Sequence, residues 1–310
     1  GNLADRLLAT ELGYSQSNGT PELRRAIARL YPKTDEENVI VTNGSSEANF
    51  ISVWNLVEPG DDVVLMLPNY MQIDGIARGF GANIRPFHLR EELGWQPDLD
   101  EFRKAMLGNV KLVCVCNPNN PTGAVLSDEA MNVIAEGAAE ANAWLLADEV
   151  YQGAERDGVT TKSFWGRHEK TLIVNGLSKA YALPGLRIGW IVAPKKQIAR
   201  SWMVHDYTTI SPSTLSDQLA RLALADGNRQ AILKRTRGIL QANYPILEAW
   251  IEEHEGMFSL VPPRAGAIGY LKYHLDINSI QLVEKLLTEK SVLIVPGDHF
   301  GMDKYLRIGY

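Results

Sequence analysis

The stretch Asn175-Gly-Leu-Ser-Lys-Ala-Tyr-Ala-Leu-Pro-Gly-Leu-Arg-Ile-Gly189 sets Lys179 in a loop after an apolar run, with Arg187 eight residues further on. A lysine amine condenses with an aldehyde, and it stays nucleophilic where partial burial and nearby cations lower its pKa. Taken alone, such a pair reads most simply as a surface lysine and a salt-bridging arginine. Other clusters change that weighting. Ala147-Asp-Glu-Val-Tyr151 ends an apolar run on Asp148, a carboxylate that needs a cationic partner, either a protein arginine or a protonated pyridine nitrogen. Asn117-Pro-Asn-Asn-Pro-Thr-Gly123 is dense in turn formers; it is either a purely structural turn or a rigid loop presenting the Asn120 amide to a ligand oxygen.

Two more segments belong with these. Thr42-Asn-Gly-Ser-Ser-Glu-Ala-Asn49 reads as a strand-to-helix turn in which Gly44, Ser45 and Ser46 open a helix. Free N–H groups and the positive end of the helix dipole make such a turn a cradle for phosphate, although ordinary helix starts share the pattern. Leu67-Pro-Asn-Tyr70 ends another strand on an aromatic ring, which either packs or lies against a flat ligand.

All of these segments fall after β-rich apolar runs, at 38–42, 62–67, 83–89, 111–116, 143–147, 171–175 and 186–193, with helical patterns between most of them. Continuous apolar strands alternating with helices spell a mostly parallel sheet covered on both faces, and ligands bind such sheets at the strands' C-terminal ends. Helices are expected after the Thr20-Pro21 cap, after Ser127 and after Gly44. Beyond Pro212 a long helical stretch through about residue 253 leads to short strands at 258–261, 267–273, 292–295 and 304–308. The expected organisation is a large α/β domain at 1–230 and a smaller α+β domain at 231–310, the boundary lying within a long helix that both can share.

A chain of 310 residues, 45% hydrophobic and 22% charged, can bury a sizeable core and shows no low-complexity or collagenous bias. Its net charge of -6 disfavours a surface built for nucleic acid. The two cysteines, Cys114 and Cys116, alternate within a strand and read as a buried structural pair on one face. No CxxC or HExxH spacing suggests a metal, no apolar run is long enough to span a membrane, and no signal-peptide core is evident. The expected setting is cytoplasmic, with a small-molecule partner.

With those motifs in place, the chain resembles the fold type I pyridoxal-phosphate (PLP) enzymes, and within them the class I/II aminotransferases related to aspartate aminotransferase, over nearly its whole length. The resemblance implies a seven-stranded, mostly parallel sheet and PLP held by Lys179 as a Schiff base. It gives Lys179 the later proton transfer and Asp148 the pyridinium nitrogen. Asn120 and Tyr151 would bind the phenolic oxygen, while Tyr70 and Val150 would cover the two ring faces. Gly44, Ser45, Ser46, Ser178 and Arg187 would hold the phosphate, joined by Tyr14 from the neighbouring subunit of a homodimer. Arg307, in Tyr305-Leu-Arg-Ile-Gly309, would grip the substrate carboxylate. The implied reaction is ping-pong transamination between an amino acid and a 2-oxo acid.

Three departures stand out: Gly176 occupies a position where the family often has a phosphate-binding serine, few residues precede Tyr14, and few follow Arg307. The last two point either to part of a longer protein or to a reduced small domain. The same lysine, aspartate and arginine would also serve a lyase, decarboxylase, cyclase or oxidase-like hydroxylase; a non-catalytic PLP sensor is the remaining reading. Arg264 is a candidate for a second carboxylate or a solvated loop residue, and His299 and Phe300 fall in a loop near the implied substrate.

Overall fold

The computed structural model describes residues 2–310. The large sheet contains β1 (Val39–Thr42), β2 (Asp62–Leu67), β3 (Asn83–Arg90), β4 (Gln96–Pro97), β5 (Val110–Cys116), β6 (Trp144–Asp148), β7 (Thr171–Gly176) and β8 (Gly189–Val192). Their order is β1-β8-β7-β6-β5-β2-β3-β4. The run β3-β2-β5-β6-β7 is parallel, β8 lies antiparallel between β7 and β1, and β4 pairs antiparallel with β3 at the edge.

The sheet thus has eight strands, where seven were expected from the sequence. The extra strand is two residues long, follows Trp95 at φ +60°, and contains Pro97, so it lacks both the length and the alternation that mark a strand in sequence. The strand expected at 186–193 begins only at Gly189, because Pro184–Leu186 form a short 3-10 turn and Arg187 is left-handed at φ +51°.

The apolar runs are continuous because both faces of the sheet are buried. Ile40, Val63, Leu65, Leu112, Leu146 and Ile191 pack into one layer, and their neighbours Val41, Val64, Val113, Leu145 and Val192 pack into the other. Helices start where their caps foretell. Thr20 Oγ1 accepts the Leu23 N–H ahead of Pro21–Ala28, and Ser127 Oγ accepts the Ala130 N–H ahead of Asp128–Glu140.

The helical stretch after Pro212 is two helices, Thr214–Leu224 and Asp226–Glu253, broken at Ala225, which is extended at ψ 135°. The second runs continuously through positions 230 and 231. The remaining strands, β9 (Phe258–Ser259), β10 (Ile268–Tyr273), β11 (Val295–Pro296) and β12 (Tyr305–Gly309), form an antiparallel sheet in the order β11-β12-β10-β9. The strand expected at 292–295 shrinks to β11. Among the described residues no helix is long and apolar enough to cross a membrane.

Candidate active site

Three strand ends and one loop converge on a cavity of about 290 Å³. Asp148, the last residue of β6, is 3% exposed; its Oδ2 accepts from Asn49 Nδ2 at 2.9 Å and its Oδ1 from the Val150 N–H at 3.1 Å. Burial raises its pKa, while those two bonds and the positive charge of Lys179 pull it down. Both donors are neutral, so the carboxylate meets no counter-charge in direct contact.

Lys179 follows β7 and opens onto the same cavity. Partial desolvation lowers its pKa first and the Arg307 guanidinium lowers it further; Asp148 opposes this and Arg187 adds to it. The result is an amine more often unprotonated than an ordinary lysine.

The Asn117–Gly123 loop is locked by its own side chains. Asn119 Oδ1 accepts from Thr122 N–H at 3.1 Å and Thr122 Oγ1 at 2.7 Å, and Asn119 Nδ2 donates to Pro68 O at 3.1 Å, tying this loop to the turn that carries Tyr70. Gly123 O then accepts from the N–H groups of Arg264 and Ala265, at 2.8 and 3.0 Å, which brings the small sheet against the loop. That junction lets Arg307 on β12 reach Asn120, with Nη1 3.3 Å from Oδ1. Tyr151 packs where only a glycine, Gly266, leaves room, since a Cβ there would lie 2.9 Å from the tyrosine ring.

The phosphate-cradle candidates meet on the other side. Gly44 (φ +87°) caps the helix Ser45–Leu56 without a side-chain hydrogen bond, and a Cβ on it would lie 2.3 Å from Arg187 Nη2. Glycine at 44 is therefore required for the arginine to approach the turn. Ser45, Ser46, Ser178 and Arg187 line the cavity together with Tyr70 and Val150.

Tyr14 lies away from this cavity: it is 87% exposed and borders a separate depression with Thr214 and Asp217. Arg264 turns outward to Asp157 at 3.3 Å, and Phe300 packs on Tyr270 with Arg307 6.0 Å above its ring, a packing role. Cys114 and Cys116 are free and buried, but they divide between the two layers, because Cys116 ends β5 and its Sγ donates to Pro118 O at 3.3 Å beside the cavity.

Sequence reading missed Asn49 and Gln72. Asn49 is four residues after Ser45 on the same helix face, a spacing that could have linked it to the turn. Gln72 Nε2 donates to Ser46 O at 2.8 Å and has no such signal.

A partly desolvated amine and a buried carboxylate at strand ends of the large sheet, faced by two arginines across one cavity, form a site suited to an anionic ligand in an α/β fold. Residues 7–310 match the family described as aminotransferase class I and II, and the chain belongs to it. It is similar to capreomycidine synthase of Streptomyces vinaceus, 33% identical over 95% of this chain and 75% of that protein. It is also similar to aspartate/prephenate aminotransferase of Thermus thermophilus, 30% identical over 96% of this chain and 78% of that one. Among solved structures, a PLP-dependent aminotransferase from Streptococcus suis superposes with a TM-score of 0.92 at 36% identity, covering 99% of this chain and 81% of that one. The chain is thus a PLP-dependent transaminase with the aspartate aminotransferase-like fold.

Proposed function

We propose that this chain moves an amino group between an amino acid and a 2-oxo acid with Lys179, Asp148 and Arg307 as its working residues, in a large unit at 1–230 completed by a smaller one at 231–310. The observation that carries this reading is their convergence, with Asn120 and Tyr151, on one cavity.

The residues fit PLP on their own chemistry. Asp148 is a buried carboxylate bonded by neutral donors only, so a ring that brings its own N–H cation compensates it. The Gly44–Ser46 turn with Arg187 suits a dianionic phosphate. Tyr70 and Val150 both line the cavity and would cover the faces of a flat ring, and Asn120 and Tyr151 offer an amide and a phenol to its oxygen. When bound, PLP supplies an aldehyde that condenses with amines and a ring that accepts an electron pair.

The chain's own part is to orient and to move protons. Arg307 holds the substrate carboxylate as a two-pronged donor, and Asn120, already bonded to it, fixes the guanidinium plane. Lys179 Nζ, its pKa lowered, takes the proton from the substrate α-carbon and returns one later. Tyr14, whose side chain is exposed, would reach a second copy's cofactor phosphate in a homodimer.

The test is an absorption titration of the full chain with PLP, then with amino acids and 2-oxo acids. A visible band that an amino acid bleaches and a 2-oxo acid restores supports the reading, and Lys179→Ala must abolish the cycle. The likeness to capreomycidine synthase favours a second reading, in which the same lysine and arginine serve a different bond change. Consumption of the amino acid with no restoration by any oxo acid would select it.

A further inference from the structure

The cradle turn is held from behind by a cluster that the site itself does not use. Glu47, the third residue of the helix Ser45–Leu56, has a side chain only 8% exposed. Its Oε2 accepts the Asn43 N–H at 2.6 Å and lies 3.4 Å from His205 Nε2. Its Oε1 accepts from the hydroxyls of Thr208 and, at 2.7 Å, Thr209. His205 is fully buried at the end of the helix Lys195–His205, and its Nδ1 has no partner. An unpartnered lone pair is less costly than an unpartnered N–H, so the ring proton belongs on Nε2, aimed at Glu47.

The arrangement answers a local problem. A serine or aspartate at the start of a helix would use its own side chain to satisfy the first N–H groups. Here Gly44 has none to offer, so the Ser45 and Ser46 N–H groups, which no carbonyl within the helix can reach, are left for an anion. With no side-chain cap at Gly44, restraint of the turn comes from Glu47, which reaches back past Gly44 to Asn43, a longer version of the capping-box contact. Asn43 is pinned from the other side as well, its Nδ2 donating to Thr209 Oγ1 and to Ser211 O at 3.2 Å.

We propose that Glu47, anchored by His205, Thr208 and Thr209, is a positioning residue that fixes the Gly44–Ser46 N–H array for the cofactor's phosphate. This rests on the assignment of the phosphate to that turn.

The experiment compares two ligands on the full chain by quenching of tryptophan fluorescence: PLP, and pyridoxal, which has the same ring and aldehyde without the phosphate. For Glu47→Ala the affinity for PLP is expected to fall about tenfold or more while that for pyridoxal stays within about twofold, the size of one hydrogen bond to a charged group. Glu47→Gln, whose single carbonyl oxygen can still accept the Asn43 N–H while its amide N–H donates to the Thr208 and Thr209 hydroxyls, should restore most of the preference for PLP. Equal losses for both ligands, or an unchanged PLP affinity, would overturn the proposal. Should Glu47→Ala not fold, Thr208→Val with Thr209→Val must still lower the PLP-to-pyridoxal preference, and an unchanged preference counts against the proposal. A wild-type chain that binds the two ligands equally well marks a different failure, that of the phosphate assignment itself.

Discussion

Asn49 Nδ2 donates to Asp148 Oδ2 at 2.9 Å, joining the helix that starts at Ser45 to the strand that ends on the buried carboxylate. The other carboxamide atom, Asn49 Oδ1, is buried without a partner. Asn49→Leu therefore removes the bond to Asp148, a long one to Gln72 Oε1 at 3.5 Å, and one unsatisfied acceptor together, so the effects on folding oppose each other. The effect on Asp148 has no such offset: with only the Val150 N–H left, its pKa rises further. PLP affinity is expected to fall about 10- to 100-fold with little change in melting temperature. Parallel PLP titrations and thermal melts check this, and an unchanged affinity would show that Asp148 does not depend on Asn49.

Glu149, next in sequence, points to the other side and is 1% exposed. Burial pushes its pKa up to about 8, against hydrogen bonds from the Phe164 N–H at 2.7 Å and Ser163 Oγ at 3.0 Å. The folded chain thus keeps a proton here that the unfolded chain releases near the ordinary carboxylate range. Between those limits the native state binds more protons, so stability falls as pH rises toward 8, by at most about 1.4 kcal/mol per pH unit from this group. Urea midpoints measured from pH 5 to pH 9 should decline for the wild type and decline less for Glu149→Gln.

Gly176 pairs with Gly189 across β7 and β8, and a Cβ on it would lie 2.9 Å from Ile188 O and 3.1 Å from Gly189 Cα. A serine at this position cannot enter without prising the two strands apart. Gly176→Ser is expected to cost about 1–3 kcal/mol, as overpacking does, and to bring no gain in PLP affinity. A tighter-binding, equally stable variant would mean that the strand pair yields more easily than this spacing implies.

Much of the fold could be read from sequence because both faces of the large sheet are buried, which writes β2, β5, β6 and β7 as unbroken apolar runs. Elements held together by non-local contacts left little trace. The edge strand Gln96–Pro97 is stabilised by pairing with Leu89 and Arg90, which its own residue types do not favour. For the candidate site, Lys179, Asp148 and Asn120 stood out because motifs frame them. Asn49, Gln72 and the Glu47–His205 pair did not, since their partners lie on elements far away in sequence.

Arg307 does two separable things. Its guanidinium, 3.3 Å from Asn120 Oδ1, is shaped to take a carboxylate with two parallel bonds, and its charge lowers the pKa of Lys179. Arg307→Lys keeps the charge and loses the fork; Arg307→Gln loses both. Both variants are expected to raise the KM for the amino acid about 10- to 100-fold, the worth of a bond to a charged group. Only Arg307→Gln should also move the pH dependence. As the proposed base Lys179 must be unprotonated to accept the α-proton, so the rate is expected to climb with pH through its pKa, and removing a neighbouring positive charge should raise that pKa and carry the acidic limb to higher pH. Pre-steady-state rates of the amino-acid half-reaction across pH distinguish the cases. An acidic limb displaced equally in both variants would mean that guanidinium geometry, and not its charge, sets the state of the lysine.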